Sequence, residues 1–334
     1  MQSDAPALID GYGRRHDNLR ISVTDRCNIR CYYCMPERDV QFVPRDEILS
    51  FEEIERFARI AAGLGIRKIR ITGGEPLVRR DLPLLVERLA AIPGIEDLAL
   101  TTNGLLLAEQ AEALRRAGLR RLNVHLDTLD RERFRQITRR DEIGRVLAGL
   151  EAARRAGFRD IKINAVAVKG LTEPDVIPLA HFGRGNGFQI RYIEFMPLDA
   201  QGLWDKSRVL LMQDILDMLA EEFGPLEAVP DADPRAPALE YRFGDGRGSV
   251  GFIASVSRPF CLNCNRIRLT ADGHLRYCLF ALEETDVKSL LRGSATDDEI
   301  RAAVRRTVAA KWLGHEIQQA NFTPPPRPMY AIGG

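Results

Sequence analysis

The sequence has almost no net charge and no long hydrophobic run. Its 48 lysines and arginines face 47 acidic residues, which leaves a net charge of +1 and gives no global attraction to nucleic acid or to an anionic membrane. No stretch approaches the roughly 18 uncharged apolar residues of a membrane span, and the first residues, MQSDAPALIDGYGRR, lack the apolar segment of a secretion signal. These absences predict a cytoplasmic protein that binds neither nucleic acid nor a membrane.

Several familiar catalytic sets are also missing from the sequence, among them a Ser-His-Asp set, a paired-carboxylate signature and a Walker loop. What stands out instead is the cysteines, because all six fall into two triplets. They are Cys27, Cys31 and Cys34, then Cys261, Cys264 and Cys278. In a reducing cytoplasm, grouped cysteines indicate metal ligands before disulfides. Three thiolates on a four-iron cluster would leave one iron open to another molecule, whereas a ferredoxin usually supplies four.

Strand-like segments recur roughly every 30 residues in the first part of the chain, with helical patterns between them, as is typical of βα units on a parallel sheet. The six predicted strands are Leu19–Thr24, Lys68–Thr72, Asp97–Thr102, Leu122–Asp127, Ile161–Val168 and Gln189–Phe195. The first connecting helix should begin at a capping box of Ser50 and Glu53 and end at Gly63 or Gly65.

A segment rich in proline and acidic residues, GPLEAVPDADPRAPALE, follows a predicted helix at Leu210–Phe223 and indicates a domain boundary near 225. We therefore expect one domain over 1–225 and a second over 226–334. The second contains predicted strands at Tyr241–Phe243, Ser249–Ala254, Arg266–Thr270 and His274–Tyr277, and a helix that begins at Thr296. The predicted fold class is α/β, a partial (βα)6 TIM-like barrel with a small C-terminal α+β domain closing its mouth.

Apolar and polar residues alternate along the predicted barrel strands, so each strand has two different faces. If amphipathic helices cover the apolar faces, the polar faces line the interior. The cations that this places together are Arg20, Lys68, Arg70 and Lys162. An enclosed cationic cavity needs an anionic ligand, and we predict a polyphosphate. The alternative is an open sheet with one solvated face, on which these residues are surface charges.

The first triplet directly follows the first strand, at the end where a parallel barrel has its active face. Zinc remains an alternative for either triplet, and for the second one His274 could be the fourth ligand. Arg266 and Arg268 project from one face of the strand beyond Cys264, which favours phosphate recognition, although an exposed strand face would show the same pattern.

The C-x3-C-x2-C spacing of the first triplet, with an aromatic residue before its last cysteine, resembles the signature of radical S-adenosylmethionine enzymes. Gly73, Gly74, Glu75 and Pro76 resemble the GGEP motif of that family. The resemblance implies that the first triplet holds a [4Fe-4S] cluster whose open iron binds S-adenosylmethionine, the source of a 5′-deoxyadenosyl radical.

The two triplets, the CNRIRLT run and the terminal IGG together resemble the GTP 3′,8-cyclases, a family of radical S-adenosylmethionine enzymes, from about Asn18 to Gly334. The resemblance implies a second [4Fe-4S] cluster on the second triplet, whose open iron binds the guanine of GTP. It also implies that the radical removes the C3′ hydrogen and that C3′ then bonds to C8. The product is 3′,8-cyclo-7,8-dihydro-GTP, the first intermediate of molybdenum cofactor biosynthesis.

The same resemblance assigns individual residues. The implied GTP contacts are Arg20, Arg70, Thr101, Lys162, Arg266 and Arg268. The implied S-adenosylmethionine contacts are Tyr33, Gly74, His125 and Met196, with His125 at a position where the family commonly has serine. Gly333 and Gly334 match a catalytic glycine tail that enters the active site. Core packing is the alternative for Met196, and a disordered end is the alternative for the two glycines.

The family further implies an electron donor, a homodimer and a handoff of the product to the next enzyme of the pathway. Two other functions remain open at this point. One is a radical S-adenosylmethionine maturase that modifies peptides and carries an auxiliary cluster. The other, of a different class, is a non-catalytic module with two structural zinc sites.

Overall fold

The computed structural model of this protein describes residues 7–230, 233–319 and 322–334. Its strands are β1 (Asn18–Ser22), β2 (Lys68–Thr72), β3 (Asp97–Thr102), β4 (Arg121–His125), β5 (Ile161–Ala167), β6 (Gln189–Glu194), β7 (Leu226–Ala228), β8 (Leu239–Phe243), β9 (Ser249–Ile253), β10 (Arg266–Leu269), β11 (His274–Arg276) and β12 (Thr285–Asp286). Its α-helices are α1 (Phe51–Gly63), α2 (Leu82–Ala90), α3 (Leu107–Arg116), α4 (Arg131–Thr138), α5 (Ile143–Arg155), α6 (Val176–Asn186), α7 (Met212–Phe223), α8 (Lys288–Arg292), α9 (Asp297–Ala309) and α10 (Met329–Ile332).

The six predicted barrel strands are confirmed as β1 to β6, and they pair in parallel in chain order. The bounds of β2 and β3 are those expected, and the others differ by one or two residues. Helices connect the successive strands, as in a βα barrel. The predicted α/β fold with a partial parallel barrel is therefore confirmed.

Helices α1 and α9 begin at the capping boxes that the sequence predicts. Ser50 Oγ accepts a hydrogen bond from Glu53 N at 3.2 Å, and Glu53 Oε2 accepts one from Ser50 N at 2.7 Å. Thr296 and Glu299 make the same reciprocal pair. Each cap satisfies backbone donors that a helix otherwise leaves without partners, and it stabilises the protein by about 1 kcal/mol.

The apolar faces of the barrel strands lie under the helices. Leu19 and Ile21 of β1 are fully buried, as are Ile54 and Phe57 on the inner side of α1. Burial of this kind stabilises the fold by roughly 25 cal/mol per Å² of apolar surface. Because neighbouring side chains of a strand point to opposite sides, the polar residues between them face the barrel interior.

The C-terminal strands join the barrel sheet instead of forming a sheet of their own. The described strands form a single sheet in the order β12-β11-β10-β1-β2-β3-β4-β5-β6-β9-β8-β7. Strand β10 pairs in parallel with β1, and β9 pairs in parallel with β6. Thus the last third of the chain covers both edges of the six-stranded barrel, which would otherwise expose unpaired backbone groups. The division of the chain near 225 remains a prediction.

No helix in the described ranges combines the length and the apolar character needed to cross a bilayer.

Candidate active site

Two adjoining cavities lie inside the barrel. The first has a volume of about 210 Å³ and is lined by the first cysteine triplet, and the second has a volume of about 170 Å³ and is lined by the second triplet. Both are lined by Thr101, Asn164, Ile193, Met196, Met329 and Gly334. These common walls place the two triplets on either side of the barrel interior.

The first triplet lies on the loop that follows β1. Its three cysteines are free thiols, and Arg30 Nη1 fastens the loop by donating to the carbonyl oxygens of Cys27 at 2.7 Å and of Ile29 at 2.8 Å. Burial raises the pKa of the Cys27 and Cys31 thiols to about 11 and that of Cys34 to about 12. A cationic ligand such as iron would be needed to hold these groups as thiolates.

The GGEP turn packs directly against this loop. A Cβ on Gly74 would lie 2.5 Å from Arg26 O, so this position requires glycine for contact with the cysteine loop itself. Glu75 is buried and accepts hydrogen bonds from Leu77 N, Thr102 Oγ1 and Asn103 N at 2.7 to 2.9 Å. Burial raises the pKa of Glu75 to about 7, although these donors favour the ionised form.

Tyr33, His125 and Asp127 form a hydrogen-bonded group at the wall of the first cavity. Tyr33 Oη donates to Asp127 Oδ2 and lies 2.6 Å from His125 Nε2, which is itself 3.1 Å from the same carboxylate oxygen. Burial lowers the pKa of His125, but the charge of Asp127 outweighs it and raises that pKa well above its usual range. Tyr33 and His125 line the first cavity, as do the predicted contacts Gly74 and Met196.

The second triplet is surrounded by cations. Lys311 Nζ lies 3.3 Å from Cys264 Sγ, and Arg266 Nη2 lies 3.4 Å from the same sulfur. Burial raises the pKa of Cys264, but the charges of Arg266 and Lys311 outweigh it and lower the pKa to about 6. Arg14 Nη1 donates to the Cys261 carbonyl oxygen at 2.7 Å and so ties the loop to the N-terminal segment.

Arginines dominate the wall of the second cavity. They are Arg20, Arg70, Arg191, Arg266 and Arg268. Burial lowers the pKa of Arg70 to about 9. Burial and the charges of Arg268 and Arg70 lower the pKa of Arg20 well below its usual value. Within the described residues, only Arg191 among the five has a carboxylate within 4.0 Å, which is Glu240 at 3.1 Å.

Four buried polar atoms of these walls have no hydrogen-bond partner among the described residues, namely Arg20 Nε, Asn164 Oδ1, Ser255 Oγ and His315 Nδ1. Buried polar groups are normally paired, and buried cations are costly without a counter-charge. The second cavity therefore has the electrostatic character of an anion site. For Arg20 and Arg70, the alternative of a solvated sheet face is wrong.

The structure places Lys68 and Lys162 differently from the arginines. Neither lines the second cavity. Lys68 Nζ lies 3.7 Å from Asp233, and Lys162 Nζ lies 3.8 Å from Glu240, near the amino ends of β2 and β5. The sequence assigned both lysines to the correct face of their strands. However, the segment after the predicted domain boundary near 225 supplies Asp233 and Glu240 as acidic partners at this end of the barrel. The role of Lys162 as a GTP contact remains a prediction.

The two terminal glycines lie within the barrel. Gly333 has a φ of +89°, and a Cβ there would lie 2.6 Å from Ser22 Cβ and 2.8 Å from Thr72 Oγ1. Gly334 lines both cavities. The preceding segment is held by Arg327, which pairs with Asp272 at 2.9 Å. The alternative of a disordered end does not fit these contacts.

Sequence reasoning missed Arg191 and Lys311. Arg191 belongs to β6, where the alternation of polar and apolar residues is weak, and its place on the wall of the second cavity is evident only in the structure. Lys311 is 4% exposed, although it follows a surface helix in a segment, KWLG, that reads as an ordinary connection. No signal in the sequence distinguishes a buried lysine of this kind from a solvated one.

The fit of an iron-sulfur cluster depends on donor chemistry and space. Across 7–230, 233–319 and 322–334, no three histidine, cysteine, aspartate or glutamate side chains form a group that could hold a metal ion directly. Each triplet nevertheless offers three free thiols at the edge of a cavity. His274, the proposed fourth zinc ligand, does not line the second cavity, and its Nδ1 lies 3.2 Å from Asp272. Three thiols with open space in front of them fit a cluster with one open iron.

Comparisons with known proteins agree with this geometry. Residues 21–183 match the family model of the radical SAM superfamily, and residues 188–317 match that of molybdenum cofactor synthesis C. A GTP 3′,8-cyclase of Rhodopirellula baltica is 50% identical, with 99% of this chain and 93% of the relative covered. Another, of Mycolicibacterium smegmatis, is 49% identical, with 99% of this chain and 94% of the relative covered.

Among solved structures, Streptococcus suis SuiB is similar with a TM-score of 0.60 at 15% identity, covering 87% of this chain and 69% of that one. This likeness concerns the fold alone. The radical SAM family implies one [4Fe-4S] cluster and S-adenosylmethionine, and the thiols of Cys27, Cys31 and Cys34 beside the first cavity fit that pair. Because these two relatives are about half identical over 99% of the chain, this chain belongs to the GTP 3′,8-cyclase family of radical S-adenosylmethionine enzymes.

Proposed function

We propose that this protein converts GTP to 3′,8-cyclo-7,8-dihydro-GTP, the first step of molybdenum cofactor biosynthesis. One observation carries the proposal: a thiol triplet beside one cavity adjoins a second cavity that is lined by five arginines and another thiol triplet. The first provides for radical chemistry and the second for a polyanionic substrate.

In the first cavity, Cys27, Cys31 and Cys34 hold the cluster, and the cavity beside them takes S-adenosylmethionine. When bound, this pair supplies one-electron chemistry that removes a hydrogen atom from the substrate. The protein's own part is to orient the two reacting molecules. Tyr33, His125, Gly74 and Met196 form that wall, and the Asp127 contacts fix the rings of the first two.

In the second cavity, the cations bind the triphosphate. Arg20, Arg70, Arg266 and Arg268 lack carboxylate partners within the described part of the chain, so an anion that enters meets charges not already neutralised. Arginine binds phosphate oxygens through paired N–H donors. Thr101 lies on the wall between the cavities, where it would meet the sugar, and Lys162 completes the cationic set if it leaves Glu240.

Cys261, Cys264 and Cys278 would hold a second [4Fe-4S] cluster, which would supply a binding position for the guanine ring. The tail residues Gly333 and Gly334 are part of the catalytic chamber, because Gly334 lines both cavities and leaves room for substrate where a larger side chain would not. With C3′ held between the cavities, the chamber favours attack on C8 over reaction with water.

The five arginines that line the second cavity favour a polyanionic substrate over the peptide substrate of a maturase. One-electron chemistry requires an external electron donor. A homodimer and a handoff of the product to the next enzyme of the pathway are drawn from the family. A cytoplasmic location, which was expected from the sequence, completes the proposal.

The test uses reconstituted protein, S-adenosylmethionine, a reductant and GTP deuterated at C3′, all without oxygen. The proposal expects deuterium in 5′-deoxyadenosine and a cyclised nucleotide. Label that stays in GTP during turnover would refute it.

A Cys31→Ser variant should abolish transfer, and Cys264→Ser should lose about half of the roughly eight irons that two clusters contain. One or two zincs without iron would instead support the non-catalytic module.

A further inference from the structure

Lys311 connects the two arms of the second cysteine triplet. Its Nζ donates to the carbonyl oxygens of Arg266 and Tyr277, each at 2.7 Å, and lies 3.3 Å from Cys264 Sγ. Arg266 follows Cys264 by two residues, and Tyr277 directly precedes Cys278. One ammonium group therefore uses its three donors to hold the backbone beside two of the three cysteines.

The charge of this ammonium group is unusual for its place. Lys311 is 4% exposed, and no carboxylate of the described residues lies within 4.0 Å of it. Its charged neighbours include Arg266, which makes the burial still less favourable. A buried cation needs a counter-charge. The thiol of Cys264 is the side chain that Lys311 contacts directly, and a sulfur that ligates iron would provide negative charge.

We propose that Lys311 is a positioning residue for the second iron-sulfur cluster, which fixes the spacing of Cys264 and Cys278 and raises the reduction potential of the cluster they hold. This inference rests on the proposed function, since that function supplies the cluster. Hydrogen bonds to ligating sulfurs and nearby positive charge favour the reduced, more negative cluster.

The experiment isolates the second cluster in a Cys27→Ala, Cys31→Ala, Cys34→Ala background of the full chain. Lys311→Met removes the charge and all three donors, whereas Lys311→Gln removes the charge and keeps an amide donor. Arg305→Met is the matched control, because Arg305 is an exposed cation on α9, the helix that precedes Lys311. After anaerobic reconstitution, iron and sulfide per chain, the EPR spectrum and the midpoint potential are measured, together with thermal unfolding of the iron-free chain.

We expect Lys311→Met to lose iron from the second triplet or to keep it at a lower midpoint potential with an altered EPR spectrum. Lys311→Gln should hold more iron than Lys311→Met but still show the lower potential, and Arg305→Met should match the parent. Neutral variants with the parent's iron content, spectrum and potential would overturn the inference. If Lys311→Met does not fold, Lys311→Gln decides, and unfolding of both iron-free variants would mean a purely structural lysine.

Failure of the proposed function gives a different result. If the parent with its first triplet removed takes up no iron, the second cluster itself is absent and both ideas fail. The parent could instead take up about four irons while the lysine variants match it in iron content, spectrum and potential. In that case the proposed function stands and the role of Lys311 is wrong.

Discussion

Arg268 Nη1 donates a hydrogen bond to the carbonyl oxygen of Gly333 at 3.1 Å, across 65 residues of sequence. Arg268 also lines the cavity that we assign to the triphosphate. The same guanidinium thus contacts the glycine tail and faces the proposed substrate. This contact couples the position of the tail to the shape of the substrate site. A substitution of Gly333 therefore tests the tail without removing the charge of Arg268.

Gly333→Ala should displace the tail and lower cyclisation about 100-fold, as misplacement of a group by about 1 Å can do. The new Cβ would meet Ser22 Cβ at 2.6 Å, and the φ of +89° is strained for alanine. Gly170→Ala is the matched control, since Gly170 has a φ of +74° but no neighbour within 4 Å. Steady-state rates and melting temperatures are compared for both variants. Equal rates in the two would contradict a catalytic role for the tail.

Arg70→Met should weaken GTP binding about 10- to 100-fold, because a charge-assisted hydrogen bond to phosphate contributes about 1.5 to 3 kcal/mol. The ligand-free variant should be at least as stable as the parent, since a buried guanidinium without a carboxylate partner is unfavourable. Anaerobic calorimetry gives the dissociation constant, and Arg242→Met, on the exposed side of β8, controls for loss of net charge. A dissociation constant that stays the same in Arg70→Met would remove Arg70 from the substrate site.

Glu240→Gln should tighten GTP binding, by about fivefold at the effective dielectric of a partly buried site. Glu240 lies 3.1 Å from Arg191 and 3.8 Å from Lys162, and its negative charge opposes an anion in the cavity that Arg191 lines. The same titration with Glu227→Gln, an exposed acid on β7, tests whether the effect is local. Weaker binding in Glu240→Gln would indicate that the pairing orients the two cations.

His16 should make the protein less stable as the pH falls. Burial and the charge of Lys311 lower the pKa of His16 from 6.5 to about 4. Between these two pH values the unfolded chain binds a proton that the folded chain excludes. The free energy of unfolding therefore rises with pH across this window, and the contribution of His16 is lost progressively as the pH falls below 6.5.

The measurement is denaturant unfolding of the iron-free chain from pH 7.5 to 4.5, compared with His16→Gln, which is neutral throughout. We expect the variant to have the shallower pH dependence. His181→Gln, at an exposed histidine paired with Glu222, should follow the parent. Parallel curves for the parent and His16→Gln would mean that His16 is protonated in the folded state.

The barrel was predictable because its signals are local. Alternation along β1 to β5 identifies each strand and the face it presents, and the capping boxes at Ser50 and Thr296 mark helix starts within four residues of sequence. The cavity with Arg20 and Arg70 follows directly from that alternation. Strands β7 and β12 were missed because three and two residues are too few to show a period.

What depends on distant pairing could not be predicted. The sequences of β9 and β10 do not indicate that β9 pairs with β6 and β10 with β1. Strand pairing over such separations is set by the packed sheet and not by neighbouring residues. The positions of Lys162 and Lys311 have the same origin. Lys162 was assigned from its own segment and Lys311 was missed, whereas their actual partners, Glu240 and the cysteine arms, come from elsewhere in the chain.

The two seams at which the C-terminal strands meet the barrel limit how this enzyme can be recombined. A chimera that exchanged the last third with that of a relative would have to match Leu19 to Ile267 on one flank and Ile190 to Val250 on the other. A truncated chain would leave both flanks as open templates for intermolecular strand addition. Exchange of the cysteine-bearing tail segment alone therefore carries a risk of aggregation that a modular enzyme would not have.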